Sequence, residues 1–311
     1  MDYILLIVSL ALIIIGAMML TDGSVAIAQR FRVPEFVVGL TIVAVGTSMP
    51  ELTVSMLAAL NGIGEMAIGN VIGSNIFNIF AILGICSVFV PVVFTKSNIR
   101  RDIPICIMAT LALLGVTATG EEISRWEGIA LLLGYVCMLI YTFRAEKSEA
   151  ANAAATADEP QSKMALWRIP LWILLGLGGL IYGGQLCVDS ASNIARSLGV
   201  SEATIAITLV AGGTSLPELA SSLVSLFKGR TSLALGNVLG SSIANILLIL
   251  GTCSVVTPLS MGNVTIFDIY VAVGATAAVM LSALIIGSDK ITRFEGLCFI
   301  ACYAAYVYTL L

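Results

Sequence analysis

Gly46-Thr47-Ser48-Met49-Pro50-Glu51 recurs as Gly213-Thr214-Ser215-Leu216-Pro217-Glu218, and each copy lies inside a long apolar run. A proline within a helix removes a backbone donor and crowds the carbonyl four residues earlier, here Gly46 and Gly213. Peptide oxygens are thereby released beside a negative charge. An acidic side chain near the centre of a bilayer costs about 2.5–3.5 kcal/mol even on the most lenient scale, and irregular backbone is tolerated there only against protein or a water-filled cavity. Two such defects at matching places imply one purpose, and the chemistry they offer is that of a cation site.

The surrounding chain puts these residues in a membrane. Of 311 residues, 59% are apolar and 11% charged, and the mean hydropathy of +1.04 is too high for a soluble domain of this length. Ten segments are long enough to span: 3–28, 35–60, 66–92, 102–119, 126–143, 166–187, 201–227, 232–256, 268–286 and 293–310. The first is preceded by Asp2 instead of a basic region and has no small-residue cleavage signature, so it reads as a transmembrane helix and not a removable signal. Trp126, Trp167 and Trp172 lie near span ends, as interfacial anchors do.

Of the 15 Lys and Arg residues, all but Arg125 and Arg196 follow odd-numbered segments. By the positive-inside rule those loops are cytoplasmic and both termini extracytoplasmic, in keeping with an even span count. The net charge of −4 offers nothing to a nucleic acid, and no obligate protein partner is evident. The absence of a large cytoplasmic insertion points to a prokaryotic inner (cytoplasmic) membrane. Cys86, Cys106, Cys137, Cys187, Cys253, Cys298 and Cys302 form no CxxC pair and read as small core residues. The chain has no histidine, which removes His-based zinc sites, Ser-His and Cys-His hydrolases and imidazole relays. Acidic residues must carry the chemistry, and no cofactor is called for.

Sliding the sequence against itself by 167 positions brings Glu51 onto Glu218, Asn70 onto Asn237, Ser74 onto Ser241 and Asn78 onto Asn245, without a gap from 44 to 84. About half of roughly 40 aligned positions are identical, an internal-repeat signature. Asp22 pairs with Asp189 at the same shift, and Arg125-Trp126-Glu127-Gly128 resembles Arg293-Phe294-Glu295-Gly296 one position further on. The halves are 1–144 and 166–311, joined by a polar, Ala-rich linker, 145–165, in which Pro160 precedes the sixth span. Five spans per half is an odd number, so the second copy enters the membrane inverted, which is a transporter architecture. The expected fold is therefore an all-α polytopic membrane protein of ten transmembrane helices in two inverted five-helix repeats. Broken helices 2, 3, 7 and 8 would form the central ion site.

On the second span Thr47 and Ser48 lie four and three residues before Glu51, which places their hydroxyls on the carboxylate's helical face; Thr214, Ser215 and Glu218 repeat this. The next span in each half carries a polar stripe, Asn70, Ser74 and Asn78, then Asn237, Ser241 and Asn245, with glycines that permit close helix approach. Carboxylate, hydroxyl and carbonyl oxygens suit Ca²⁺, Mg²⁺ or Na⁺, with flexible Ca²⁺ coordination favoured over the strict octahedron of Mg²⁺. Two glutamates could neutralise one divalent ion or share several Na⁺. Asp22 and Asp189 read as helix-end residues, and Glu127 and Glu295 as interfacial.

GTSMPEL with GNVIGSNIFNI, and GTSLPEL with GNVLGSSIANI, resemble the two alpha-repeats of the cation/Ca²⁺ exchanger superfamily, in particular its Na⁺/Ca²⁺ exchanger branch. The motifs cover about a quarter of the chain, and the expected spans and inversion agree with the family over nearly its full length. The resemblance implies that Glu51 and Glu218, with the carbonyls of Thr47 and Thr214, bind Ca²⁺. It implies that Na⁺ uses the same glutamates with Ala44, Ser48, Ser74, Ala211, Ser215 and Ser241, and that Asn78 and Asn245 line the site. K⁺-dependent relatives and some prokaryotic ones carry aspartate at the position of Asn245, so the resemblance, with a neutral amide here, points away from K⁺ co-transport. The Ca²⁺/H⁺ branch looks like GN-x-x-E-L at the glutamate motif and lacks TS-x-P. The expectation is an alternating-access Na⁺/Ca²⁺ antiporter in which the first and sixth helices move across a fixed core. A Ca²⁺/H⁺ antiporter is the alternative, a passive cation channel the rival of another class, and an intramembrane enzyme is disfavoured for want of a nucleophile or base partner.

Overall fold

The computed structural model describes residues 1–153, 164–200, 211–262, 264–286 and 289–310. In chain order these form α1 (Asp2–Phe31), α2 (Glu35–Thr47), α3 (Met49–Leu60), α4 (Gly64–Phe89), β1 (Val92–Val93), α5 (Asn98–Ala118), β2 (Glu122–Ile123) and α6 (Arg125–Ala153). The second half follows with α7 (Arg168–Ser197), a single turn Ala211–Gly213, α8 (Leu216–Phe227), α9 (Thr231–Val256), β3 (Leu259–Ser260), α10 (Ile266–Leu281), β4 (Lys290–Ile291) and α11 (Arg293–Leu310). Among the described residues seven helices are long and apolar enough to cross a membrane, or eight if α2 and α3, bent by 47° at Ser48, count as one span. The seventh expected span begins outside the described residues, at 201–210. Residues 154–163 of the expected linker, including Pro160 and Lys163, also lie outside the described residues. Its first residues are helical, because α6 runs on to Ala153 through an Ala-, Glu- and Lys-rich stretch of good helix formers.

The chain gathers into two compact units, one of residues 1–50 and 142–237, the other of 51–141 and 238–311. In the first unit α1 and α7 pack lengthwise. A Cβ built on Gly176 would lie 2.6 Å from the Leu20 nitrogen, and one on Gly16 2.8 Å from the Gly176 oxygen, so only glycine allows this approach. Ile13, Ala17, Leu20, Ile169, Ile173 and Leu180 fill the seam on either side. α2 meets the start of α9 in the same way, since a Cβ on Gly236 would fall 2.3 Å from the Phe36 oxygen. Shifted by 167, the counterparts of Phe36 and Leu40 fall at 203 and 207, outside the described residues.

In the second unit most of α4 is buried, Ser74 and Asn78 of its polar stripe included, and Phe80 and Phe77 meet Phe299 and Tyr303 of α11 edge-on at 5.7 and 5.3 Å. Outer helices turn Ile4, Ile7, Leu133, Val136 and Leu174 outward, a pattern suited to hydrocarbon and not to water.

The chain is mostly helical, as expected, with two short ladders added: β1 pairs antiparallel with β4, and β2 with β3, so that backbone groups left over at helix ends satisfy one another. Each short strand pairs with one from the other sequence half. Three expectations need correction. The third and eighth spans are not broken. α4 and α9 run through, each with one wider π-helical segment, Phe77–Ile82 and Asn245–Leu250, because neither contains a proline. Asp22 is no helix-end residue, since it lies well inside α1 and pairs with Lys228 at 2.6 Å; Asp189 is likewise inside α7 and exposed. Only Cys86, Cys106 and Cys253 are core cysteines; Cys137, Cys298 and Cys302 point outward from helices that are apolar all round. Glu127 and Glu295 do sit at helix starts, where each accepts from the backbone nitrogen and hydroxyl of the residue three before it, Ser124 and Thr292.

Candidate ion-binding site

Each GTS-x-PE segment ends one helix and begins another. α2 stops at Thr47, Ser48 leaves the helical conformation at φ −83, ψ 9, and α3 starts at Met49 with Pro50 as its second residue. In the second half Thr214 and Ser215 separate the turn Ala211–Gly213 from α8, where Pro217 is again second. A proline costs nothing there, since the first amides of a helix have no intrahelical acceptor. The carboxylates follow at once: Glu51 and Glu218 lie in the first turns of α3 and α8, where the helix dipole favours negative charge. Pro50 has no amide hydrogen to offer the Gly46 carbonyl four residues earlier, so carbonyl and carboxylate oxygens gather within a few residues of chain.

Because the helix stops at Ser48, Thr47 and Ser48 do not share a helical face with Glu51 as the spacing predicts. Within the first unit they serve groups of the other sequence half. Ser48 donates from Oγ to Glu218 Oε1 at 2.8 Å, and Thr47 donates from Oγ1 to Asn237 Oδ1 at 3.2 Å. Asn237 in turn donates from Nδ2 to Ser221 Oγ at 2.8 Å, Ser222 Oγ at 2.9 Å and the Glu218 carbonyl at 3.3 Å. Glu218 is only 1% exposed and sits in a network drawn from α2, the break at Ser48, α8 and α9.

In the second unit Glu51 is also 1% exposed. Asn70 repeats part of the Asn237 pattern, donating from Nδ2 to Ser55 Oγ at 2.9 Å and to the Glu51 carbonyl at 3.3 Å. Further along α4 and α9, Ser74, Asn78, Ser241 and Asn245 are all buried. Among the described residues the Oδ1 atoms of Asn78 and Asn245 are buried and accept no hydrogen bond. An amide oxygen kept from water in this way is a candidate cation ligand.

Ala44 is fully buried, and its carbonyl takes the Ser48 amide at 3.0 Å and the Thr47 hydroxyl at 3.3 Å. Ser215 is buried and Thr214 half-buried. Ala211 is described only as part of its helical turn. The spacing argument missed Asn75, which donates from Nδ2 to the Ser242 carbonyl at 3.1 Å and accepts at Oδ1 from Asn245 Nδ2 at 3.1 Å. Ser242 occupies its repeat position, so the recurrence that singled out the other polar residues passed over this one.

Comparison with known proteins agrees with this architecture. The family model described as sodium/calcium exchanger protein matches residues 1–144 and 168–311. The putative antiporter CaxA of Alkalimonas amylolytica is 36% identical over 317 residues, covering 99% of this chain and 98% of its own. Inner membrane protein YrbG of Escherichia coli is 32% identical over 263 residues, covering 82% of this chain and 79% of its own. The sodium-calcium exchanger NCX_Mj, in a structure soaked with zero Na⁺ and Ca²⁺, superposes with a TM-score of 0.84 at 30% identity, covering 100% of this chain and 99% of that one. This chain, an integral membrane protein, belongs to the sodium/calcium exchanger family.

Proposed function

We propose that the protein is a secondary antiporter that moves Ca²⁺ against Na⁺ by alternating access, with the two ions competing for Glu51 and Glu218. The observation that carries this reading is the burial of both glutamates, each 1% exposed, in the first turn of a helix that starts at a proline break. An ionised carboxylate kept from water is costly unless a cation meets it, and oxygen donors of the surrounding kinds suit Ca²⁺ and Na⁺. The names of the similar proteins, an antiporter and a sodium-calcium exchanger, support the same cargo.

In this reading Ca²⁺ is held by the two carboxylates with the Thr47 and Thr214 carbonyls. Na⁺ uses the carboxylates with Ala44, Ser48, Ser74, Ala211, Ser215 and Ser241, while Asn78 and Asn245 line the site. Either load neutralises the glutamates. The empty pair stays costly to carry through the membrane, and that cost ties the movement of one ion to the other. The chain spans the membrane ten times as two inverted halves, 1–144 and 166–311, and α1 with α7 moves against the rest. It resides in a prokaryotic inner membrane with both termini outside, a reading supported by the distribution of Lys and Arg and by the name of the similar protein YrbG.

Competition at one pair of carboxylates is tested at equilibrium. Calorimetric titration of the purified protein with Ca²⁺ should give an apparent affinity that falls as Na⁺ is raised, and Glu51→Gln or Glu218→Gln should abolish the heat. Ca²⁺ binding that ignores Na⁺ but weakens as pH falls would transfer the reading to Ca²⁺/H⁺ exchange.

A further inference from the structure

We propose that Asn75 is a positioning residue that turns the amide of Asn245 so that its oxygen, and not its NH₂, faces the transported cation. This rests on the reading that Asn245 lines the ion site. An asparagine amide presents an acceptor at one end and a donor at the other, and the two ends have nearly the same shape, so something must choose between them. Here the choice is made by a backbone carbonyl. The Ser242 oxygen can only accept, so Asn75 must turn its NH₂ toward it, at 3.1 Å. Asn75 Oδ1 is thereby aimed at Asn245, which must answer with its own NH₂, also at 3.1 Å. Asn245 Oδ1 is left pointing onward, buried and with no donor among the described residues.

Turning the Asn245 amide over would set two carbonyl oxygens against each other and offer hydrogens to a cation. The chain of three groups thus transmits the fixed polarity of a peptide bond to a side-chain ligand. Among the described residues Asn78 has no equivalent device. Ser242 stands where Asn75 would be; its hydroxyl donates to the Val238 carbonyl at 3.1 Å, and among the described residues no hydrogen bond joins it to Asn78. Of the two repeat-related asparagines, Asn245 is therefore the one whose orientation is set by this relay.

The test is a double-mutant cycle in Ca²⁺ affinity, read by calorimetry on the full-length protein. Asn75→Ser installs the residue that the other half carries at this position. It should weaken Ca²⁺ binding about fivefold, the worth of one orienting hydrogen bond. In an Asn245→Ala background, where no amide remains to be turned, Asn75→Ser should have no further effect. Equal losses in both backgrounds would overturn the proposal in favour of simple packing, and so would an unchanged affinity in the single variant. Wild-type protein that bound Ca²⁺ with this pattern of coupling but carried none in exchange for Na⁺ would overturn the exchange reading and uphold the role of Asn75. Wild-type protein that bound no Ca²⁺ would overturn both.

Discussion

At Ser48 the partner that helical spacing names is not the one the fold supplies. Its hydroxyl belongs to the candidate site, as the motif implies, but it donates to Glu218 instead of lying beside Glu51. Helical spacing stops being a guide where the helix itself stops, and the break falls on this residue. Hydrogen bonds to charged groups contribute about 1.5–3 kcal/mol, so Ser48→Ala should lower apparent Na⁺ and Ca²⁺ affinity by roughly tenfold or more. Thr41→Val, which removes a hydroxyl bonded among the described residues only to the Val37 carbonyl of its own helix, should leave both affinities unchanged. Titration of the two variants side by side checks this. Glu51 and Glu218 were legible because an acidic residue amid apolar neighbours is conspicuous, and their repetition removed chance. Asn75 was not, because it acts through a carbonyl that is distant in sequence and because its repeat position holds a serine.

Most helices were legible from hydrophobic length, and the breaks at Pro50 and Pro217 from proline chemistry. Breaks were expected in α4 and α9 as well, yet their glycines lower helix propensity without removing a donor, and both helices run on with a π-helical segment. The short strands were invisible because two-residue ladders carry no periodicity. Glycines mattered more as contact points between helices. A Cβ at Gly176 meets the backbone of α1 at 2.6 Å, whereas one at Gly178 meets nothing within 4 Å among the described residues. Gly176→Ala should therefore force α1 and α7 apart at a cost of about 1–3 kcal/mol, lowering the thermal midpoint by a few degrees. Gly178→Ala should leave the midpoint unchanged or raise it slightly, since alanine favours a helix that has room for it. Thermal unfolding of both variants in detergent separates the two outcomes. Two helices locked along a glycine seam are also suited to moving as one body, the role proposed for them here.

At the scale of the whole molecule, membrane residence and family membership follow from features spread over the full chain, whereas the identity of the coupling ion rests on few residues. In the proposed reading the GTS-x-PE repeat points away from H⁺ and the neutral Asn245 away from K⁺ as the counter-ion. Only flux decides among them. Proteoliposomes loaded with Na⁺ and diluted into Na⁺-free buffer at matched pH should take up labelled Ca²⁺. Uptake should stop when Na⁺ is equal on both sides, and Glu51→Gln or Glu218→Gln should abolish it. Uptake that ignores the Na⁺ gradient, whether it follows an imposed pH gradient or proceeds with no counter-ion at all, would contradict the account.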